Sequence, residues 1–186
     1  MAEDEQEDRD RRIYLTFADD AFAAYCLDAF DTNGDGRLSR YEAQRVREMD
    51  CSGRGIALLD ELDEFVRLVR LDCSDNRLVR LDATACTLLE TLDCADNRLS
   101  QLDLAGLRSL RTLAARGNAL DRLDLQSNAS LAELDLRGNR LSTLDVSPCA
   151  ASLRADVRDN PRLETVYYRR GQQVAASDPA RLVERP

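Results

Sequence analysis

Leu71-Asp-Cys-Ser-Asp-Asn-Arg-Leu78 returns 21 residues later as Leu92-Asp-Cys-Ala-Asp-Asn-Arg-Leu99. It returns again as Leu113-Ala-Ala-Arg-Gly-Asn-Ala-Leu120 and as Leu134-Asp-Leu-Arg-Gly-Asn-Arg-Leu141. The asparagines Asn76, Asn97, Asn118, Asn139 and Asn160 keep an unbroken step of 21. A fixed period in this range marks stacked coils, because one unit cannot bury its apolar face alone. Leu71 and Cys73 alternate with Arg70, Asp72 and Ser74, which predicts a short strand with the leucine and cysteine inward. The asparagine side chain is expected to satisfy turn backbone groups that no regular ladder reaches. The rest of each coil, such as Leu81-Asp-Ala-Thr-Ala-Cys-Thr-Leu-Leu89, is too short for a long helix. It predicts extended or single-turn segments on a convex side, with Leu78, Leu81 and Leu89 closing the core.

Working outward, Met49-Asp-Cys-Ser-Gly-Arg-Gly-Ile56 aligns with Leu71–Leu78, and Val46 matches Leu68. Coils therefore begin near 49, 71, 92, 113, 134 and 155. In the last, Ala155-Asp-Val-Arg-Asp-Asn-Pro-Arg-Leu163, the next apolar residue slips by one, Pro161 follows the asparagine, and Leu153 stands one place off register. Atypical terminal repeats are what a stack needs to close its edges. Val166-Tyr-Tyr168 is expected to extend that cap. The divisions are an acidic disordered leader (1–12), a helical cap (13–48), the coils (49–168) and a polar, loosely held tail (169–186).

The most specific local motif precedes the coils. Asp31-Thr-Asn-Gly-Asp-Gly-Arg-Leu-Ser-Arg-Tyr-Glu42 fits D-x-[DN]-x-[DN]-G-x5-E without a departure. A chance match in a chain of this length is about one in a few thousand on average residue usage. Asp31, Asn33 and Asp35 offer side-chain oxygens, Gly36 permits the sharp turn, and Arg37 offers its carbonyl. Ser39 can ligate through water and Glu42 can bind bidentately. Ser39-x-x-Glu42 is also a capping box, so the same residues can close on a cation and start an exit helix running to about Glu48. Upstream, Phe22, Tyr25, Cys26, Ala29 and Phe30 line one face of an entry helix beginning near Ala18, after a short apolar stretch at Ile13–Phe17. The stretch resembles an EF-hand with Ca2+ as its ion. There is one such loop and no methionine-rich groove, Met1 and Met49 being the only methionines, so a structural ion is favoured over a switch.

Charged residues make up 33% and the net charge is −9, which argues against nucleic acid and anionic membranes as partners. No apolar run spans a bilayer. The charged N-terminus carries no signal peptide, so the protein is either cytoplasmic or a mature fragment whose leader has been removed. Of six cysteines, Cys51, Cys73 and Cys94 share the inward coil position later taken by Ala115, Leu136 and Val157. They read as free core thiols. With no histidine in the chain, a single file of thiols makes no tetrahedral zinc site. Cys26, Cys86 and Cys149 look scattered. Asn128-Ala-Ser130 is a glycosylation sequon in spelling only.

Function is expected on the concave strand face. One outward column is Asp50, Asp72, Asp93, Ala114, Asp135 and Asp156; the next is Ser74, Ala95, Arg116, Arg137 and Arg158. The arginines can pair with acids in the C-terminal half, whereas Asp50, Asp72 and Asp93 look unpaired. The competing reading is a solvated face with no partner. Asp72 and Asp93 sit without an apolar wall to separate their pKa values, which disfavours glycoside hydrolysis. No histidine-based nucleophile and no phosphate loop is present, so the chain reads as no enzyme.

The L-x-x-L-x-(L/C)-x-x-N-x-L wording is similar to leucine-rich repeats. Residues 13–170 resemble bacterial cell-surface proteins in which an EF-hand-like segment precedes 21-residue repeats of the internalin J type, with a cysteine ladder. Cys51, Cys73 and Cys94 match that ladder; Ala115, Leu136 and Val157 depart from it. The resemblance implies an α/β fold: a leucine-rich repeat solenoid with a short parallel sheet, capped by an EF-hand. It also implies export to the periplasm or cell surface and adhesion or recognition of a protein or peptide ligand. A calcium-responsive cap and a display fragment of a larger adhesin remain as alternatives.

Overall fold

The computed structural model describes residues 11–177 and 180–186. The leader thus lies largely outside the described residues. Seven short strands form one parallel sheet: β1 (Glu48–Asp50), β2 (Arg70–Asp72), β4 (Thr91–Asp93), β6 (Thr112–Ala114), β7 (Glu133–Asp135), β9 (Arg154–Asp156) and β11 (Gln173–Ala175). Between them the chain returns through a second face. There β3 (Arg80–Asp82) pairs β5 (Gln101–Asp103), and β8 (Thr143–Asp145) pairs β10 (Thr165–Arg169), which pairs β12 (Arg181–Arg185). The coils beginning at 71, 92, 134 and 155 are thus a strand, a turn, a second short extended segment and a return, while the first returns through a 3-10 helix (Asp60–Glu64) and the coil beginning at 113 has no second strand.

Register follows from the inward residues. Met49, Leu71, Leu92, Leu113, Leu134 and Ala155 are aligned by strand pairing, and all are buried. A slip by one residue would turn this whole row outward. Cys51, Cys73, Cys94, Ala115, Leu136 and Val157 form the adjacent row, with no exposed surface.

The asparagine row does what its spacing predicts. Asn97 Nδ2 donates to Cys73 O of the preceding coil at 2.9 Å and to Cys94 O and Ala95 O of its own, while its Oδ1 accepts the Leu78 amide at 2.9 Å. Asn76, Asn118, Asn139 and Asn160 repeat the pattern. One side chain so satisfies several buried backbone groups that a helix or sheet would otherwise have to pair.

The remaining cysteines are not scattered. Phe65, Cys86, Leu107, Asn128 and Cys149 follow the 21-residue step and are all wholly buried. The Cys86 thiol points at Leu62 O and Phe65 O, and Asn128 Nδ2 donates to Leu104 O and Leu107 O, in each case 24 and 21 residues back. This second ladder is invisible to a pattern search because its members differ chemically. It also settles the sequon: Asn128 is a buried tie between coils. Cys26, on the cap helix, is wholly buried and feels the charge of Cys51, the first member of the first ladder. Burial pushes its thiol pKa up and the neighbouring Cys51 adds to the shift, while Cys51 itself is pushed by burial to about 12. All six cysteines are free and buried.

The cap differs from expectation at its exit. Helix α1 (Asp20–Phe30) is present, with Asp19 as its N-cap, but α2 spans only Arg40–Ala43. Arg45 N and Val46 N bond three residues back, to Glu42 O and Ala43 O, and the chain is extended from Glu48. Pairing of β1 with β2 requires Met49 inward, and that tertiary demand overrides the helical pattern. The tail also differs. Residues 173–175 complete the seven-stranded sheet and 181–185 pair in register with β10, because terminal coils leave open edges that the following chain can cover.

Candidate functional site

Two regions carry polar groups arranged beyond what the stack needs: the 31–42 loop and the outward columns of the seven-stranded sheet.

The loop is wound by its own side chains. Asp31 Oδ1 and Oδ2 accept the amides of Gly34 and Gly36, each at 2.8 Å. Asn33 Oδ1 accepts Asp35 N at 2.8 Å, and Asp35 Oδ1 accepts Arg37 N at 2.9 Å. Gly34 and Gly36 have φ of +71° and +79°, the left-handed region in which a side chain would be strained. The oxygens are hard donors of the kind calcium takes, with no nitrogen or sulfur among them. Glu42 stands apart. Its Oε1 accepts Thr32 N and Oγ1, and its Oε2 accepts Ser39 N and Oγ, so it ties the loop's entry to its exit and completes the capping box. Burial works against its charge, but these bonds outweigh it and hold the carboxyl below its ordinary pKa. Ser39 Oγ is buried and spent on Glu42. Among the described residues no three acidic or thiol side chains gather as a metal cage. The first half of the loop therefore fits a hard cation in donor type and backbone shape. Ligation by Glu42 would exchange its present hydrogen bonds.

The cap is joined to the first coil by directed contacts. Asp19 Oδ1 caps α1, and its Oδ2 accepts the amides of Ala57 and Leu58. Arg40 makes a bidentate pair with Glu64, at 2.8 and 2.6 Å. Phe22 and Phe30 each lie 6.1 Å from Phe65.

On the sheet face, strand register aligns Asp50 with Asp72 and Asp72 with Asp93. Asp50 Oδ1 accepts the amide and hydroxyl of Ser52; Asp72 Oδ1 does the same with Ser74, and Asp93 Oδ1 accepts Ala95 N. Among the described residues none of the three forms an ion pair with an arginine, although the charges of Arg54 and Arg116 reach Asp50 and Asp93. Ser52 bonds lower the Asp50 pKa, whereas burial, with the charge of Asp72, raises that of Asp93. In the C-terminal half, Arg137 grips Asp135 through Nε and Nη2 at 2.9 and 2.6 Å and approaches Asp156, which Arg158 holds in the same way. Burial would raise Asp135, but the Arg137 bonds outweigh it and leave it lowered; the Arg158 bond lowers Asp156. Arg116 pairs with Asp96, at 2.8 Å, not with the predicted column. Asp96 sits at φ +53° in the turn, a position the column pattern did not consider.

A leucine-rich repeat family model matches residues 130–151. The functional domain of InlJ from Listeria monocytogenes, described as including a cysteine ladder, is similar with a TM-score of 0.72 and 27% identity over 82% of this chain and 36% of that one. Internalin C2 of the same species is similar in fold, with TM-score 0.50 and 17% identity over 90% of this chain and 94% of that one. Comparison with curated proteins gives no match. The chain thus spans just over a third of the InlJ chain it resembles. No helix among the described residues is long and apolar enough to cross a membrane. The repeat match, the buried cysteine column and the InlJ likeness together show a leucine-rich repeat motif at 130–151 and a fold similar to that of the internalins.

Proposed function

We propose that this is a non-enzymatic recognition or adhesion module whose sheet face takes a basic segment of a protein partner, with a structural Ca2+ in the cap. One observation carries the first part: among the described residues Asp50, Asp72 and Asp93 line up in register with no ion pair to a basic side chain, only the longer-range charges of Arg54 and Arg116 reaching Asp50 and Asp93, while Asp135 and Asp156 are neutralised by their own coils. The uncompensated charge lies where a lysine- or arginine-bearing strand or loop gains most, with Arg116, Arg137 and Arg158 occupied by acids. The test is fluorescence anisotropy with a lysine-rich peptide. Asp72→Lys/Asp93→Lys should abolish capture and leave the melting temperature nearly unchanged, and Arg137→Ala should not weaken it. Capture indifferent to the double reversal sinks the reading. Display in the periplasm or on a bacterial surface belongs to the same proposal, and fractionation of bacterial cells that make the protein checks it.

The calcium part is supported by the complete loop motif, the oxygen-only donors and the two left-handed glycines. Asp31, Asn33, Asp35, the Arg37 carbonyl and Glu42 would hold the ion. At 100 times its dissociation constant, calcium should stabilise the fold by about 2.7 kcal/mol. An unchanged circular dichroism spectrum below the melt indicates a structural ion, and a change indicates the responsive alternative. A melting curve insensitive to chelator removes both.

A further inference from the structure

We propose that Tyr14 and the arm Ile13–Leu15 clamp the 31–42 loop, making it a preformed ion site rather than one ordered by the ion; this rests on the calcium reading above. The arm crosses the loop's exit as an antiparallel bridge between Tyr14 and Ser39, with Leu15 N on Leu38 O at 2.8 Å and Arg40 N on Ile13 O at 2.7 Å. The Tyr14 side chain then reaches back along the loop. Its hydroxyl donates to Asp35 Oδ2 at 3.3 Å, and the Arg37 guanidinium lies over its ring at 5.0 Å. Tyr14 thus touches two loop positions, the Asp35 carboxylate and the residue whose carbonyl would ligate, while its neighbours Ile13 and Leu15 bond the backbone at the exit.

The clamp matters because residues 32–37 are exposed and carry no apolar anchor of their own. Short-range bonds wind this stretch, but each spans five residues or fewer apart from the Thr32–Glu42 tie. Leu15 and Leu38, at the foot of the bridge, pack on the core, so the arm links the exposed loop to the rigid stack. A loop ordered before binding does not lose that conformational freedom when the ion arrives. The hydroxyl also orients Asp35 by occupying the oxygen that Arg37 N leaves open. Tyr14 is accordingly a positioning residue for the loop.

Calorimetric titration of the full chain with calcium alone tests this. Tyr14→Ala is expected to weaken binding about tenfold, and Tyr14→Phe, which keeps the ring under Arg37, about threefold. Tyr14→Phe should hardly move the melting temperature of the calcium-free protein. Terbium, an oxygen-seeking stand-in for calcium, supplies a spectroscopic readout that a merely structural role would not change. Emission excited through tyrosine should be lost in Tyr14→Phe and kept in Tyr41→Phe. Parental calcium affinity in both Tyr14 variants would overturn the clamp and leave the calcium site standing. No calcium uptake by the parent protein would overturn both.

Discussion

The two halves of the strand face share a backbone and differ in what they do with charge. In coils beginning at 49, 71 and 92 the outward aspartates are held by serine hydroxyls and backbone amides. In coils beginning at 134 and 155 arginines two residues on fold back over them. Beneath both lies one asparagine ladder with one geometry. The lesson is that fold and surface charge are written at different positions of the same repeat. The inward and asparagine positions admit little change, while the second and fourth positions of each strand phrase are free to specialise. A protein can then carry an acid-rich and a self-neutralised surface on one scaffold.

The largest expected effect tests whether the scaffold is common to both halves. Asn97→Ala and Asn139→Ala each strand several buried backbone groups, and each should cost about 4 kcal/mol in chemical denaturation. A large loss in one and not the other would break the comparison. A smaller effect concerns the seam. A Cβ on Gly117 would lie 2.3 Å from Asp96 Oδ1, and one on Gly138 only 3.6 Å from the nearest backbone atom. Both glycines have positive φ, so alanine at 138 should cost about 1 kcal/mol. Alanine at 117 should cost about 2 kcal/mol, since it must also push Asp96 off Arg116. Thermal melts of the two variants decide this.

The smallest effect separates the halves by pH. Asp135 has a lowered pKa, so its contribution is present above the ordinary value of 3.8 and is lost as pH falls through its folded value. Asp93 has a raised pKa, so its contribution is present below 3.8 and is lost as pH rises through its folded value. Near neutral pH, Asp93→Asn should therefore stabilise and Asp135→Asn destabilise, each by roughly 0.5 kcal/mol after solvent screening. The difference should shrink as pH falls through the folded value of Asp93 and then that of Asp135. Melts across this range that move the two variants in the same direction would contradict the assigned causes.

Much of the candidate site was legible because its signals are local. The loop motif fixes Asp31, Asn33 and Asp35 within five residues, and their bonds to the following amides are those the spacing allows. The outward columns follow from strand alternation and the 21-residue step, which leads one to expect C-terminal arginines on acids; the pairs formed are Arg137–Asp135 and Arg158–Asp156. Arg116 was misassigned because its partner, Asp96, occupies a left-handed turn, where strand alternation says nothing about direction. Tyr14 lies 25 residues from Ser39, and no periodicity links them.

By itself the sequence determined the stack: a strict step with asparagine and leucine at set places leaves few arrangements that bury the apolar rows and satisfy the turns. Only tertiary structure decided where the regular phrase yields. It shortened the exit helix to four residues because Met49 had to join the inward row. It drew the polar tail into β11 and β12 because open strand edges take up the chain nearest to them. It also placed Cys86 and Asn128 in one ladder, since burial and a carbonyl to bond, rather than residue type, define that position.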